Sequence, residues 1–204
     1  MKIFHTVVGE IGTNCYLLLD ETTHCAALID PGDEAERLEA LLAEHNADLR
    51  AIFLTHGHYD HVGAVAELLK KHPDIPVYLH PYDAVAPSRL FPLCAAVVPH
   101  NYRDGDTVLL GSLCVRVYHT PGHSRGSVTL HVENALFTGD TLFFGSCGRV
   151  DLDGGDEEQM MRSLARLAAL DGDADVYPGH MNFSTLEAER RNNPYMRYVA
   201  KGTV

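Results

Sequence analysis

Thr55-His56-Gly57-His58-Tyr59-Asp60-His61 packs three histidines and an aspartate into six residues. The run before it, Arg50-Ala51-Ile52-Phe53-Leu54, is short and apolar and reads as a buried strand. The run after it, Val62 to Lys71, carries apolar residues at helical spacing. The four metal-capable side chains therefore sit on a strand-to-helix turn. Neighbouring side chains on a short turn diverge, so the four cannot all point at one ion. They can serve two ions side by side, and that suggests a dinuclear hydrolytic site.

Working outward, the same arrangement recurs three times. Thr120-Pro121-Gly122-His123 follows a strand ending near Tyr118. Thr138-Gly139-Asp140 follows Ala135-Leu136-Phe137, and Tyr177-Pro178-Gly179-His180 follows Asp175-Val176. Each puts a His or Asp just past a strand end, beside a glycine that permits a tight turn. Strand ends are rigid and loops at one sheet edge converge, so the repeated pattern says more than any single histidine.

The remaining chain reads as alternating strands and helices. Strands are expected at 3–8, 14–19, 25–29, 51–54, 76–79, 107–110, 113–118, 128–132, 135–137 and 175–177. Helices are expected at 34–45, 62–72 and 159–170, with another opening at 186–191. Asp156 is a candidate N-cap for the third of these. Residues 81–103, rich in proline, read as a long surface loop with a helical turn. No linker, low-complexity tract or charge block divides the chain, so residues 1–204 are expected to form a single domain. Two strand-rich halves, each with covering helices, suggest a four-layer α/β sandwich.

The composition bounds the partners. A formal net charge of -12 argues against nucleic acid or an anionic membrane and leaves a small-molecule substrate. The thirteen histidines make metal binding worth testing. Cys15, Cys25, Cys94, Cys114 and Cys147 are odd in number and lack C-x-x-C spacing, as expected of reduced thiols in a cytoplasmic protein. The N-terminus has no signal-peptide core, and no apolar run approaches the ~18–20 residues that cross a bilayer. Nothing in the composition fixes an oligomeric state.

H-x-H-x-D-H followed by a later His, Asp and His in that order resembles the metallo-β-lactamase superfamily. The resemblance covers nearly the whole chain. It implies an αββα sandwich with metals at one edge. It implies that His56, His58 and His123 hold a first metal and that Asp60, His61 and His180 hold a second. Asp140 would bridge the two together with a water or hydroxide, and Asp60 would orient that hydroxide by a hydrogen bond. Two Zn²⁺ per chain are the expected cofactors, although iron or manganese also suits these donors. Such sites hold ions about 3.5–4 Å apart and lower the pKa of bound water to about 7.

Within the superfamily the chain is similar to glyoxalase II-like (hydroxyacylglutathione hydrolase) thioester hydrolases. The similarity rests on Gly12-Thr13-Asn14-Cys15-Tyr16-Leu17, on Thr138-Gly139-Asp140-Thr141-Leu142-Phe143 and on Gly145-Ser146-Cys147-Gly148-Arg149-Val150-Asp151-Leu152. It implies that Arg149 lies beside the substrate, holding a carboxylate or polarising a thioester carbonyl. Val150 stands where the short members of the family often have Thr. Full-length glyoxalase II enzymes add a C-terminal helical domain with glutathione-binding basic residues, and this chain ends soon after the matching segment. The resemblance therefore carries the metal chemistry and leaves the thiol carrier open.

Two other chemistries fit the same motifs. Persulfide dioxygenases share the fold and a Cys-Gly-Arg stretch like Cys147-Gly148-Arg149, and would place one iron on His56, His123 and Asp140. Lactonases use the same site. Gly122-His123-Ser124-Arg125-Gly126 also matches the G-x-S-x-G elbow of serine hydrolases, with Asp140 and His180 in a permissible triad order. That elbow needs a helix directly after the serine, whereas Ser127 to Val132 alternates and reads as a strand.

Overall fold

The structure, a computed structural model, describes residues 1–84, 88–93 and 97–200. Cys94 and part of the expected 81–103 loop lie outside them. Two six-stranded sheets face each other. In the first, β1 (Lys2–Val8), β2 (Thr13–Leu19) and β3 (Cys25–Ile29) run antiparallel. Helix α1 (Ala35–Glu44) then crosses over to β4 (Asp48–Phe53), which pairs parallel with β3. After α2 (Tyr59–Val62) and α3 (Val65–Lys71), β5 (Val77–Leu79) and β6 (His100–Asn101) continue the parallel edge.

The second sheet begins as an antiparallel meander: β7 (Thr107–Leu110), β8 (Leu113–His119), β9 (Val128–Val132) and β10 (Ala135–Gly139). A small hairpin follows, β11 (Leu142–Phe143) with β12 (Ser146–Cys147). Helix α4 (Glu157–Ala168) then crosses to β13 (Asp175–Pro178), which pairs parallel with β10. Strand β14 (Ser184–Thr185), α5 (Leu186–Asn192) and α6 (Pro194–Val199) complete the described chain.

Strand periodicity explains the layering. Successive side chains of a strand point to opposite faces. On β2, Leu17 and Leu19 join one core while Tyr16 and Leu18 join another. On β10, Leu136 faces the third core while Ala135 and Phe137 face the second. The first core lies between the first sheet and Leu38, Leu42, Val65 and Leu68 of the helices. The second lies between the sheets, with Phe53 and Phe137 among its residues. The third lies between the second sheet and Met160, Leu164, Leu167 and Met196. Three cores between four layers make an αββα sandwich, as the sequence suggests. Among the described residues no helix is long and apolar enough to cross a membrane.

The two-residue strands β6, β11, β12 and β14 go beyond the sequence reading, β6 within the expected 81–103 loop, because so short a run carries no periodicity, and two helices differ from it. The helix expected over 62–72 starts earlier, at Tyr59, and breaks at Gly63-Ala64. A Cβ on Gly63 would lie 2.2 Å from the Gly32 carbonyl oxygen, and the Ala64 N–H donates to the Pro31 carbonyl. The break thus comes from a turn some thirty residues upstream, packed against the helix start. The last helix is two helices, because Pro194 cannot continue α5 and instead opens α6. Asn193 caps that second helix by accepting from the N–H groups of Tyr195 and Met196.

Asp156 caps α4 as expected, its carboxylate accepting from the Gln159 N–H at 2.9 Å. Replacing such a cap with alanine costs about 1 kcal/mol. For a chain of this size Asp156→Ala should lower the melting temperature by about 2–4 °C in a thermal unfolding scan. An unchanged melting temperature would show the cap to be idle.

Candidate metal centre

All seven sequence-predicted ligands meet at one edge of the sandwich. His56 and His58 come from the turn between β4 and α2, and Asp60 and His61 from α2 itself. His123 follows β8, Asp140 follows β10 and His180 follows β13. The edges of the two sheets are joined there. The Val128 N–H donates to the Thr55 carbonyl at 2.8 Å, and the Asn14 N–H donates to the Gly179 carbonyl at 2.7 Å. His56, His58 and His123 each offer a ligand atom within 4.8 Å of the others, as do Asp60, His61 and His180. Asp140 lies between the groups. One of its oxygens is 3.4 Å from His61 Nε2, and the other is 3.4 Å from His123 Nε2 and 3.6 Å from His180 Nε2.

Hydrogen bonds aim the rings. Carbonyl and carboxylate oxygens only accept, so a ring nitrogen bonded to one must carry the proton. His123 Nδ1–H donates to the Arg149 carbonyl at 2.8 Å, and His61 Nδ1–H donates to Asp30 at 3.0 Å. His180 Nδ1–H donates to the Gly12 carbonyl at 3.3 Å. The Thr55 hydroxyl donates to Asp30 at 2.6 Å, so it accepts from His56 Nδ1–H at 3.1 Å. In the neutral form of these four rings Nε2 carries the lone pair and can face the site. His58 differs, turning Nδ1 to within 2.8 Å of His123 Nε2. Such outer partners set the tautomer of a metal-binding imidazole and raise its basicity.

The donor set fits metal ions on observations internal to the fold. His56 Nε2, His58 Nε2 and Asp140 Oδ1 are buried without a hydrogen-bond partner. Buried polar atoms are otherwise almost always paired. Burial, followed by repulsion from neighbouring rings, holds the pKa of His56 well below the usual histidine range and that of His58 down to about 4. Both rings are therefore neutral near pH 7, as ligands must be. Burial also acts to lower the pKa of His61, but Asp140 and Asp30 outweigh it and push the ring upward. Carboxylates converging on one buried point call for a cation there.

Asp30 is the residue that the sequence reading missed at the centre itself. It is fully buried, at φ 52°, and accepts from the Thr55 N–H, the Thr55 hydroxyl and His61. It also stands within ligand distance of His56 and His61. Its signal was present. Asp30-Pro31-Gly32 follows the end of β3 and repeats the strand, turn, acid-or-imidazole pattern of the ligands. Asn14 was also missed as a site residue. Its side-chain amide donates to the carbonyls of Pro178 and Met181 on either side of the Gly179-His180 turn.

Close backbone approach finishes the assembly. A Cβ on Gly179 would fall 2.2 Å from Asp140 Oδ1 and 2.7 Å from His61 Cε1. Only glycine leaves that space for the carboxylate.

The centre opens into a cavity of about 360 Å³ with apolar walls that include Ile11, Phe143, Leu152 and Met181. Arg149 lines the same cavity. Its guanidinium makes two 2.7 Å bonds to Asp151, so its charge is already matched. A larger cavity, about 960 Å³, touches none of the predicted site residues. Ser124 is buried, with its hydroxyl bonded to Asp83 and Ser127, and the strand β9 follows, so the serine-elbow geometry is absent. Burial pushes the Cys147 thiol up to about 11, which leaves it un-ionised near neutral pH.

Comparison with known proteins agrees with this geometry. A family model described as the metallo-beta-lactamase superfamily matches residues 8–180. The hydroxyacylglutathione hydrolase GloC of Haemophilus influenzae is 34% identical, over 96% of this chain and 98% of its own length. The crystal structure of BLEG-1 B3 metallo-beta-lactamase superposes with a TM-score of 0.85 at 33% identity, covering 96% of this chain and 99% of that one. That of TTHA1623 in a di-iron-bound form has a TM-score of 0.81 at 38% identity, covering 94% and 99%.

Proposed function

The chain belongs to the metallo-β-lactamase superfamily, and from that membership we propose that it is a hydrolase of thioesters working with two metal ions. The observation that carries the reading is Asp140, whose two oxygens face ligand atoms of both triads at 3.4 Å. His56, His58 and His123 would hold one ion, and Asp60, His61 and His180 the other. Bound there, divalent ions would polarise a carbonyl and supply hydroxide near neutral pH. The choice of thioesters leans on the GloC relative, which matches end to end. The di-iron form of TTHA1623 makes iron as eligible as zinc.

The chain's own residues do the rest. Thr13 donates its hydroxyl to Asp60 at 3.2 Å and so fixes that carboxylate's direction. Asp60 thereby keeps an oxygen turned to His61 and His180, at 3.4 and 3.2 Å, where it can orient an attacking water. Ile11, Phe143, Leu152 and Met181 offer apolar surface on which an acyl group can pack. Arg149, at the same mouth, can leave its exposed pairing with Asp151 for a substrate carboxylate, because exposed ion pairs contribute only about 0–1 kcal/mol.

Thiol release from a panel of S-acyl thioesters tests the reading. The metal-loaded protein should release thiol, lose that activity on exhaustive chelation, and regain it when zinc or iron is restored. Thiol release that survives complete metal removal would overturn the metal role. Cleavage of a β-lactam, or oxygen uptake with a persulfide, in the absence of any thioester turnover would replace the thioester assignment.

A further inference from the structure

Asp83 lies on the turn after β5, outside both ligand triads, and is 2% exposed. Its carboxylate is fully engaged. One oxygen accepts from the Gly57 N–H at 2.9 Å and from the Ser124 hydroxyl at 2.7 Å. The other accepts from the Gly126 N–H at 2.7 Å. Gly57 is the residue between His56 and His58. Ser124 directly follows His123, and Gly126 lies two positions beyond. A single buried carboxylate thus ties the first-half loop that supplies two histidines to the second-half loop that supplies the third.

The backbone is cut to fit this carboxylate. A Cβ on Gly126 would lie 2.6 Å from the Asp83 carboxyl carbon, and one on Gly57 would lie 3.1 Å from the Asp83 Cβ. Burial pushes the Asp83 carboxyl above its ordinary range, and the three donors act against that shift. A buried acid is kept only where its partners are specific. None of those partners adjoins Asp60, His61 or His180, whose rings and turn are held instead by Asp30 and Asn14.

We propose that Asp83 is the positioning residue of the His56, His58 and His123 triad: it fixes the distance between the two loops and thereby that triad's affinity for metal. The proposal rests on the two-ion reading above. It predicts an asymmetric defect, because Asp83 bonds the residues beside His56, His58 and His123 and none beside His180, while His61 is held by Asp30.

The test titrates stripped, full-length protein with Zn²⁺ against a chromophoric chelator and locates the bound ions by anomalous diffraction from loaded crystals. Asp83→Asn preserves shape but turns an NH₂ group towards a donor. One of the two zinc equivalents should weaken by about 10–100-fold, the range for losing an outer partner of a ligand. The anomalous signal should fade at His56, His58 and His123 and persist at the other triad. Ser124→Ala removes one donor and leaves both backbone bonds, and should weaken the same equivalent by less than about tenfold. Unchanged binding of both ions in Asp83→Asn, or equal weakening of both, would overturn the positioning role. If Asp83→Asn does not fold, wild-type affinity at the first triad in Ser124→Ala would overturn it. Wild-type protein that binds fewer than two ions would instead overturn the two-ion reading.

Discussion

Asp140→Ala is expected to lower kcat/KM by about 10³-fold, the upper range for removing a preorganised charge partner of the reaction. The same variant should retain at most one metal ion per chain after dialysis. Both losses follow from position. Asp140 is 7% exposed and lies against His61, His123 and His180 together. Asp60 belongs with His61 and His180, while Asp30, which also stands near His56 and His61, has its oxygens taken up by Thr55 and His61 Nδ1–H. Alanine leaves the flanking rings in place, held by their Nδ1 bonds, but removes the group common to them. Elemental analysis and steady-state kinetics on one preparation decide the matter. A variant that keeps two ions and normal turnover would refute the bridging role.

The second large effect is expected at Asp30. Three donors converge on its carboxylate: the Thr55 N–H, the Thr55 hydroxyl and His61 Nδ1–H. An amide offers one acceptor oxygen and a donor NH₂, so Asp30→Asn must leave at least one buried donor facing another. Each unsatisfied buried group costs about 1–3 kcal/mol. His61 loses its fixed tautomer, and His56 loses the Thr55 relay that orients it. Metal affinity should fall by about 10–100-fold, here at both triads. Chemical denaturation of the metal-free variant would report the first effect and chelator competition the second. Near-wild-type values in both would show that Asp30 merely ends a strand. This symmetric loss contrasts with the one-sided loss expected at Asp83.

Much of this was readable from the chain, for reasons that separate cleanly. The sandwich follows from period-two burial: Leu17 and Leu19 against Tyr16 and Leu18 already assign two faces to β2. The ligands are readable because imidazole and carboxylate side chains just past apolar runs have few other uses. Asp30 carries the same pattern, yet in Asp30-Pro31-Gly32 an aspartate also suits an ordinary turn. Asp83 carries no pattern at all, since its role depends on glycines 26 positions before it and 43 after it. The break at Gly63 depends on packing against Gly32, which local periodicity cannot see. What stayed hidden was three-dimensional proximity, not chemistry.

The division of the centre between the two halves has a consequence for how the molecule comes into being. His180 reaches its place only when β13 has paired with β10, and its turn is held by Asn14, 164 positions before Pro178. Contacts so distant in sequence form late, because the closure entropy of the intervening chain must be met first. The first sheet can build its own parallel edge without them. During refolding, therefore, full metal uptake should lag the recovery of secondary structure. The complete centre can then serve as a seal on the finished fold, closing only after the two sheets have found each other.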